Sequence, residues 1–268
     1  MTRPSDQTGI VKPRLRWRWL RWNLHRLTLG YIAFAVTGVF ASGWSLMLLV
    51  PGALLVCLVG DGMARPSSNV FYPTITHGPR VGKRVALTFD DGPDPEITPQ
   101  VLDVLAQNGA RATFFVIGKS LAAQIQLGRR MLDEGHVIGN HSWQHSRWQN
   151  FRQFAWHLRE IGQCDKAIAT LASGQRPRLY RPPVGLKTPE LARAVWVHGL
   201  TLVAWSLHSH DTWLRDPERI AHRVLTKIHG GDIVLLHDGH DLAGRQRPQC
   251  VAALRLILGG LRARALSA

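Results

Sequence analysis

The stretch RVALTFDDGPD, residues 84–94, is a largely apolar run that stops at two adjacent aspartates, a glycine and a proline. The run predicts a short buried strand over Arg84–Phe89. Thr98 and Pro99 then predict the start of a helix, as N-cap and first helical residue, and Gly109 suits its C-terminal end. The stretch therefore predicts a strand, a polar turn and a helix in succession.

The same alternation continues along the rest of the chain. Further strands are predicted at Ala112–Ile117, His136–Gly139, Leu179–Arg181, Leu200–Trp205 and Asp232–Leu236, with helices near 120–134, 151–172, 189–198, 217–229 and 250–264. Regular alternation of strands and helices is typical of an α/β fold with a parallel sheet. In barrel folds of this kind, the carboxyl ends of the strands converge on one mouth.

Polar motifs follow several of these strands: TFDDG (88–92), HSWQH (141–145), RPPVG (181–185), WSLHSHDTW (205–213) and LLHDG (235–239). Each motif alone has an ordinary structural interpretation, such as a turn or a core histidine. Together they predict two adjacent aspartates, several histidines and an arginine at one mouth. The i, i+4 spacing of His141 and His145 suits one face of a helix, and two histidines with a carboxylate form a familiar catalytic metal shell.

The motifs TFDDGPD, HSWQH, RPPVG and LLHDG, in this order over residues 83–240, resemble those of NodB-like polysaccharide deacetylases (carbohydrate esterase family 4). The resemblance implies a distorted (β/α) barrel. It also implies metal-dependent hydrolysis of N-acetyl groups on aminosugars of a polysaccharide or cell-wall glycan.

Residue roles follow from the same resemblance. Asp91, His141 and His145 would hold one divalent ion, with Zn²⁺ as the expected ion and Co²⁺, Mn²⁺ or Ni²⁺ as alternatives. Asp90 would be the general base, and Arg181 would pair with it.

Four further positions complete the implied site. His237 would give a proton to the departing amine, and Asp211 would keep His237 protonated. A backbone N–H near Val184 would stabilise the oxyanion. Trp205 and Leu235 resemble the apolar wall around the acetyl methyl group.

The fourth motif departs from the family pattern, which is often DxxDW. His208 stands at the first acid, Thr212 directly follows Asp211, and Trp213 comes one residue late. None of these changes removes a metal ligand, the base or the acid. We therefore expect activity to survive, while the family's substrate preference does not transfer directly.

Composition excludes several classes of protein. A chain of 268 residues with 45% hydrophobic residues can bury a full core, which excludes intrinsic disorder. Three cysteines far apart in sequence argue against a disulfide framework and a thiolate zinc site. The net charge of +15 raises nucleic acid or anionic lipid as partners, and +6 of it lies in residues 1–69 (eight basic and two acidic residues).

The N-terminal quarter predicts a membrane anchor. A basic arm (1–28) with three tryptophans precedes residues 27–60, which carry no charge. Leu29–Val50 supplies the about 20 apolar residues that a span needs. One span would place the later residues outside the cytoplasm, because basic segments stay inside. Two short helices turning near Ser42–Trp44 would return them to the cytoplasm.

These observations divide the chain into the arm (1–28), a transmembrane anchor (29–60), a linker (61–82) and a catalytic domain (83–268). The expected partners are an N-acetylated glycan and a membrane, and no nucleic acid. Two alternatives remain open: a deacetylase or deformylase of a lipid-linked sugar, and a metal- or glycan-binding protein without turnover.

Overall fold

The computed structural model describes residues 18–42, 45–171, 178–240 and 246–268. Residues 1–17 of the basic arm, including Trp17, lie outside the described residues, as do the side chains of Trp19 and Trp22. The described chain begins with two helices, α1 (Arg18–Ser42) and α2 (Ser45–Ala64). The segment Leu29–Val50, expected as one span, is thus divided between two helices.

The two N-terminal helices pack on each other and on the following domain. A Cβ at Gly52 of α2 would touch the ring of Tyr31 in α1. Leu24 and Met63 pack against a cluster of buried residues that includes Leu191. Among the residues that the structure describes, none of the helices combines the length and apolar composition needed to cross a membrane.

Strands and helices then alternate. The strands are β1 (Thr74–Ile75), β2 (Ala86–Asp90), β3 (Ala112–Val116), β4 (Val137–Asn140), β5 (Leu179–Tyr180), β6 (Thr201–Val203), β7 (Leu207–His208) and β8 (Ile233–His237). The helices are α3 (Ile97–Gln107), α4 (Gly118–Ala123), α5 (Ile125–Asp133), α6 (Phe154–Ala169), α7 (Pro189–Val197), α8 (Pro217–Leu225) and α9 (Gln249–Ala263).

All eight strands form one parallel sheet in the order β1-β6-β5-β4-β3-β2-β8-β7. The predicted α/β fold with a parallel sheet is confirmed. Among the described strands, β1 and β7 lie at the two ends of the order and do not pair with each other. The expected distorted (β/α) barrel is therefore an open, parallel half-barrel.

Alternation along β2 separates the core from the site. Leu87 and Phe89 are fully buried against the helices, and the Phe89 ring stacks on Phe114 with centroids 5.1 Å apart. Thr88 and Asp90 point to the opposite face, because successive side chains of a strand alternate. That face forms the inside of the half-barrel and carries the polar residues.

The segment expected as a linker (61–82) is packed against the catalytic domain. It contributes the edge strand β1, paired with β6, and buries Phe71. Lys187 is buried and its Nζ donates to the carbonyls of Pro66 (2.8 Å) and Ser68 (2.6 Å). Burial lowers the pKa of Lys187 to about 8. These contacts fix the segment to the domain.

Helix starts differ from the predictions at two places. Thr98 lies inside α3, which begins at Ile97, and its hydroxyl donates to Asp238 across the fold (2.6 Å), so it is not the N-cap. The helix predicted near 120–134 is divided into α4 and α5 at Gln124. In the first case, the Asp94 carboxylate accepts the N–H groups of Glu96 (2.8 Å) and Ile97 (2.9 Å) at the start of the helix.

Candidate active site

The two aspartates at the end of β2 turn away from the strand in different directions. Asp90 is the last strand residue, whereas Asp91 has a positive φ of 72°, a conformation that Asp adopts more readily than most residues. A Cβ at Gly92 would overlap the carboxylate of Asp238. The DDG sequence therefore makes a tight turn that brings both carboxylates into the mouth.

His141 and His145 lie on a loop after β4, so the helix expected from their spacing is absent there. Positive φ values at Ser142 (68°) and His145 (51°) fold this loop back on itself. The two rings lie 4.9 Å apart between centroids. A compact loop thus brings the two imidazoles together, as one helical turn would have done.

The three predicted metal ligands form one buried cluster. Asp91 Oδ1 lies 3.2 Å from His145 Nε2 and 3.5 Å from His141 Nε2, and one donor atom of each residue lies within 4.8 Å of the others. Asp91 Oδ1 is buried and accepts no hydrogen bond from the described residues. A divalent cation would satisfy this oxygen, and the donor set of two imidazoles and a carboxylate suits such an ion.

A hydrogen bond to the backbone orients the His141 ring for binding a metal. Its Nδ1 donates to the carbonyl of Arg181 at 2.7 Å, which leaves the lone pair on Nε2 facing Asp91. Burial alone would raise the pKa of Asp91, but His141, His145 and His237 around it outweigh burial and lower the pKa. The cluster therefore presents a carboxylate and an imidazole lone pair at one point.

Asp90 is held by Arg181, as expected. Arg181 Nη1 donates to Asp90 Oδ1 at 2.7 Å and to the Thr88 hydroxyl at 2.8 Å, and Nη2 donates to the Ala204 carbonyl. The guanidinium is fully buried and stacks on the Phe115 ring, 4.1 Å from its centroid. Several hydrogen bonds and a stacked ring therefore fix the orientation of the Asp90 carboxylate.

The second ion pair of the mouth joins His237 to Asp211. Asp211 Oδ1 lies 2.9 Å from His237 Nδ1, and Asp211 Oδ2 accepts the backbone N–H of His237 at 2.8 Å. Burial lowers the pKa of His237, but the negative charge of Asp211 outweighs burial and raises it overall. The Ser209 hydroxyl also donates to Asp211 (2.9 Å). The geometry suits an imidazolium that can donate from Nε2.

Val184, Trp205 and Leu235 flank this centre. Val184 has a positive φ of 53° in the short turn Pro183–Gly185, and its side chain is about half exposed. The Trp205 ring packs against Gly185, where a Cβ would overlap it. Leu235 is buried on β8, two residues before His237 and on the same face. The turn at Val184 and two apolar side chains therefore lie around the polar groups.

The changed fourth motif is visible in the structure. Trp213 is 81% exposed and packs on His210, so it forms no wall beside His237. The His208 ring lies 6.1 Å from the His237 ring, between centroids. Burial lowers the pKa of His208 to about 4, so this imidazole is neutral at pH 7.

Two residues of the mouth were missed by the sequence analysis. Arg247 is buried, with Nη1 at 3.4 Å from Asp91 Oδ2. Asp238 accepts from Thr98, and burial raises its pKa to about 7. Asp238 belongs to the LLHDG motif and could have been identified from it. Arg247 lies beyond the loop that follows this motif, and no sequence pattern marks it.

Comparison with known proteins agrees with this geometry. The polysaccharide deacetylase family model matches residues 77–203. A chitooligosaccharide deacetylase of Bradyrhizobium sp. (strain ANU 289) is 39% identical over 190 residues, which are 68% of this chain and 86% of that protein. A peptidoglycan-N-acetylglucosamine deacetylase of Bacillus cereus is 38% identical over 194 residues, 69% of this chain and 84% of that protein.

The fold is similar to that of a family 4 carbohydrate esterase from Streptomyces lividans, whose structure holds acetate. The TM-score is 0.63 at 32% identity, over 70% of this chain and 92% of that chain. Some relatives are longer, and the chain spans 36% of the length of the Listeria monocytogenes peptidoglycan-N-acetylglucosamine deacetylase. On its motifs, its fold and these identities, the chain belongs to the polysaccharide deacetylase family.

Proposed function

We propose that this protein is a metal-dependent hydrolase that removes N-acetyl groups from aminosugars of a polymeric glycan. The observation that carries the proposal is the buried cluster of Asp91, His141 and His145, which lies between two ion pairs at one mouth. One pair offers a fixed carboxylate and the other a proton donor. Amide hydrolysis needs both, because water loses a proton and the departing amine gains one.

The first half of the reaction uses Asp90. A divalent ion on Asp91, His141 and His145 would activate water and polarise the amide carbonyl. Asp90 takes the proton of the attacking water. Arg181 keeps the carboxylate oriented through the 2.7 Å hydrogen bond.

The second half uses the other side of the mouth. The N–H of Val184 donates to the oxygen that becomes negative as water attacks. His237 then gives its Nε2 proton to the departing amine, and Asp211 stabilises the imidazolium before that transfer. Trp205 and Leu235 surround the acetyl methyl group.

The relatives favour two substrates, chitooligosaccharide and the N-acetylglucosamine of peptidoglycan. The direct test incubates the full-length protein with chitotetraose or with purified peptidoglycan and measures released acetate. Acetate and free amine should appear in equal amounts. Release from neither glycan would contradict the proposed function.

For the metal we propose Zn²⁺, because two imidazoles and one carboxylate with open positions form a common catalytic zinc shell. Co²⁺, Mn²⁺ and Ni²⁺ are the alternatives that this donor set also accepts. Elemental analysis of protein purified without added metal distinguishes them.

The charge partner of His237 sets a pH dependence that can be measured. Asp211 raises the pKa of His237, and His237 must be protonated to act as an acid, so kcat falls as the pH rises through that pKa. In Asp211→Asn the pKa of His237 should fall, and the alkaline limb of kcat should move to lower pH with unchanged metal content.

His208→Ala is the control for this profile. Because His208 is neutral near pH 7, its removal should leave the alkaline limb in place. An unmoved limb in Asp211→Asn would show that Asp211 does not tune His237.

We also propose that α1 and α2 attach the enzyme to a membrane, with the catalytic domain outside the cytoplasm, where polymeric glycans lie. Several large apolar side chains of these helices are exposed, among them Leu29, Phe34 and Leu54, each about two-thirds exposed. Arg26 of α1 pairs with Glu190 of α7 at 3.4 Å. The Arg26 side chain is 68% exposed, so this ion pair adds little free energy to the alternative, in which the basic arm and the catalytic domain share one side.

A topology reporter separates these two arrangements. With an alkaline phosphatase or a fluorescent protein fused after Ala268, we expect alkaline phosphatase activity, since that enzyme works only outside the cytoplasm. Fluorescence without phosphatase activity would contradict the outer location. The proposed substrate would then be a lipid-linked sugar at the inner face of the membrane.

A further inference from the structure

A second pocket opens beside the catalytic mouth. Its volume is about 410 Å³, and it is lined by Thr212, Arg215, His240, Gln246, Arg247 and Gln249. Two of these residues are arginines, and none of the described lining residues is acidic. The catalytic roles derived above use none of the six.

The pocket is joined to the catalytic groups through two contacts. Gln249 Nε2 donates to the backbone carbonyl of Asp211 at 2.9 Å, so the pocket lies directly behind the partner of His237. Arg247 Nη1 lies 3.4 Å from Asp91 Oδ2, while Oδ1 of the same carboxylate faces the two histidines. The pocket therefore begins on the side of Asp91 opposite the metal ligands.

Arg247 is the buried positive charge of the pocket. It is 8% exposed, and its Nη1 makes an ion pair with Asp91 at 3.4 Å but no hydrogen bond with the described residues. A buried donor that makes no hydrogen bond is costly, and native proteins place such groups where water, an ion or a ligand supplies the hydrogen bond. Arg215, at the outer edge of the same pocket, is exposed and adds a second positive charge.

The altered fourth motif contributes one residue to the pocket. Thr212, a small side chain, lines it next to Asp211, whereas the Trp213 side chain is turned to solvent. The opening is large enough for a substituent of a sugar ring, at the lower end of the volumes of small-ligand sites.

We infer that this pocket binds an oxyanion, a carboxylate or a phosphate, carried by the glycan beside the N-acetyl group that is removed. The guanidinium groups of Arg247 and Arg215 match the two or three oxygens of such a group. This inference rests on the proposed function and adds to it a preference for acidic over neutral glycans.

Matched pairs of substrates test the preference. One pair is a peptidoglycan tetrasaccharide of N-acetylglucosamine and N-acetylmuramic acid, with its carboxylates free or methyl-esterified. The other is chitotetraose with and without a 6-phosphate. For one of the two pairs, the charged substrate should be deacetylated with a kcat/KM at least about tenfold higher than the neutral one, mainly because its KM is lower. An effect of this size is expected of a hydrogen bond to a charged group. The responding pair identifies the oxyanion.

Two variants assign the preference to the pocket. Arg215→Gln changes an exposed residue, whereas Arg247→Lys keeps the charge but loses the planar guanidinium group. Because Arg247 lies beside Asp91, the metal content of Arg247→Lys is measured as well. In at least one of them the charged-to-neutral ratio should fall towards one. Arg219→Gln is the matched control, because Arg219 lines a different depression on α8 and its loss should leave the ratio unchanged.

The outcomes separate this inference from the proposed function. Acetate release at equal kcat/KM within both pairs would overturn the oxyanion site and leave the deacetylase activity standing. A preference that survives in both Arg215→Gln and Arg247→Lys would also overturn it. No acetate from any of the four substrates would instead contradict the proposed function.

Discussion

Replacing His141 with alanine should abolish metal binding and nearly all amide hydrolysis. The cluster has three ligands, and His141 supplies the Nε2 lone pair that the Arg181 carbonyl fixes through Nδ1. With two ligands left, the ion is held too weakly to remain through purification. Elemental analysis should show about one metal per chain in the wild type and almost none in the variant.

The matched control is His229→Ala. His229 is a surface histidine whose side chain is 78% exposed, so its loss should change neither metal content nor acetate release. Circular dichroism should show that both variants are folded. One metal per chain retained in folded His141→Ala would disprove the assignment of this cluster.

Asp90→Asn should separate the base from the ligands. Asparagine keeps the shape of the side chain but cannot take the proton of water, so kcat should fall by about 10²–10⁴-fold, the usual contribution of general acid–base catalysis. The metal content should stay near one per chain, since Asp91, His141 and His145 are unchanged. The variant leaves the buried Arg181 charge without its partner, so the thermal midpoint should fall as well.

A second variant distinguishes lost chemistry from lost stability. Asp103→Asn removes a carboxylate that pairs with Arg130 at the surface (2.6 Å), and should leave kcat unchanged. Assays of Asp90→Asn well below its own thermal midpoint exclude unfolding as the cause. A near-normal kcat there would mean that another group accepts the proton.

The strands that carry the site could be predicted because each is an apolar run with a polar motif at its end. This holds for β2, β3 and β8, whose observed limits differ from the predicted ones by no more than two residues. The two-residue strands β1 and β7 were not predicted, since two residues show no periodicity. The equally short β5 was predicted because the RPPVG motif follows it. Thr98 misled the prediction of α3 because Asp94 accepts the first N–H groups of the helix, while the Thr98 hydroxyl donates to Asp238.

Site residues could be predicted where a motif or a spacing in the sequence marks them. They were missed where only the folded structure brings them to the site. Asp91, His141 and His145 meet as expected, although a loop with positive φ values replaces the helix assumed from their spacing. Arg247 reaches Asp91 from the residues just before α9, 156 residues further along the chain, and no pattern in the sequence connects the two.

The most direct test of the central claim measures acetate release from an N-acetylated glycan before and after metal removal. Full-length protein should release acetate and free amine in equal amounts, lose this activity in chelator, and regain it when about one equivalent of Zn²⁺ per chain is added after the chelator is removed. Folded protein that releases acetate at the same rate without metal, or that releases none when fully loaded, would contradict the account.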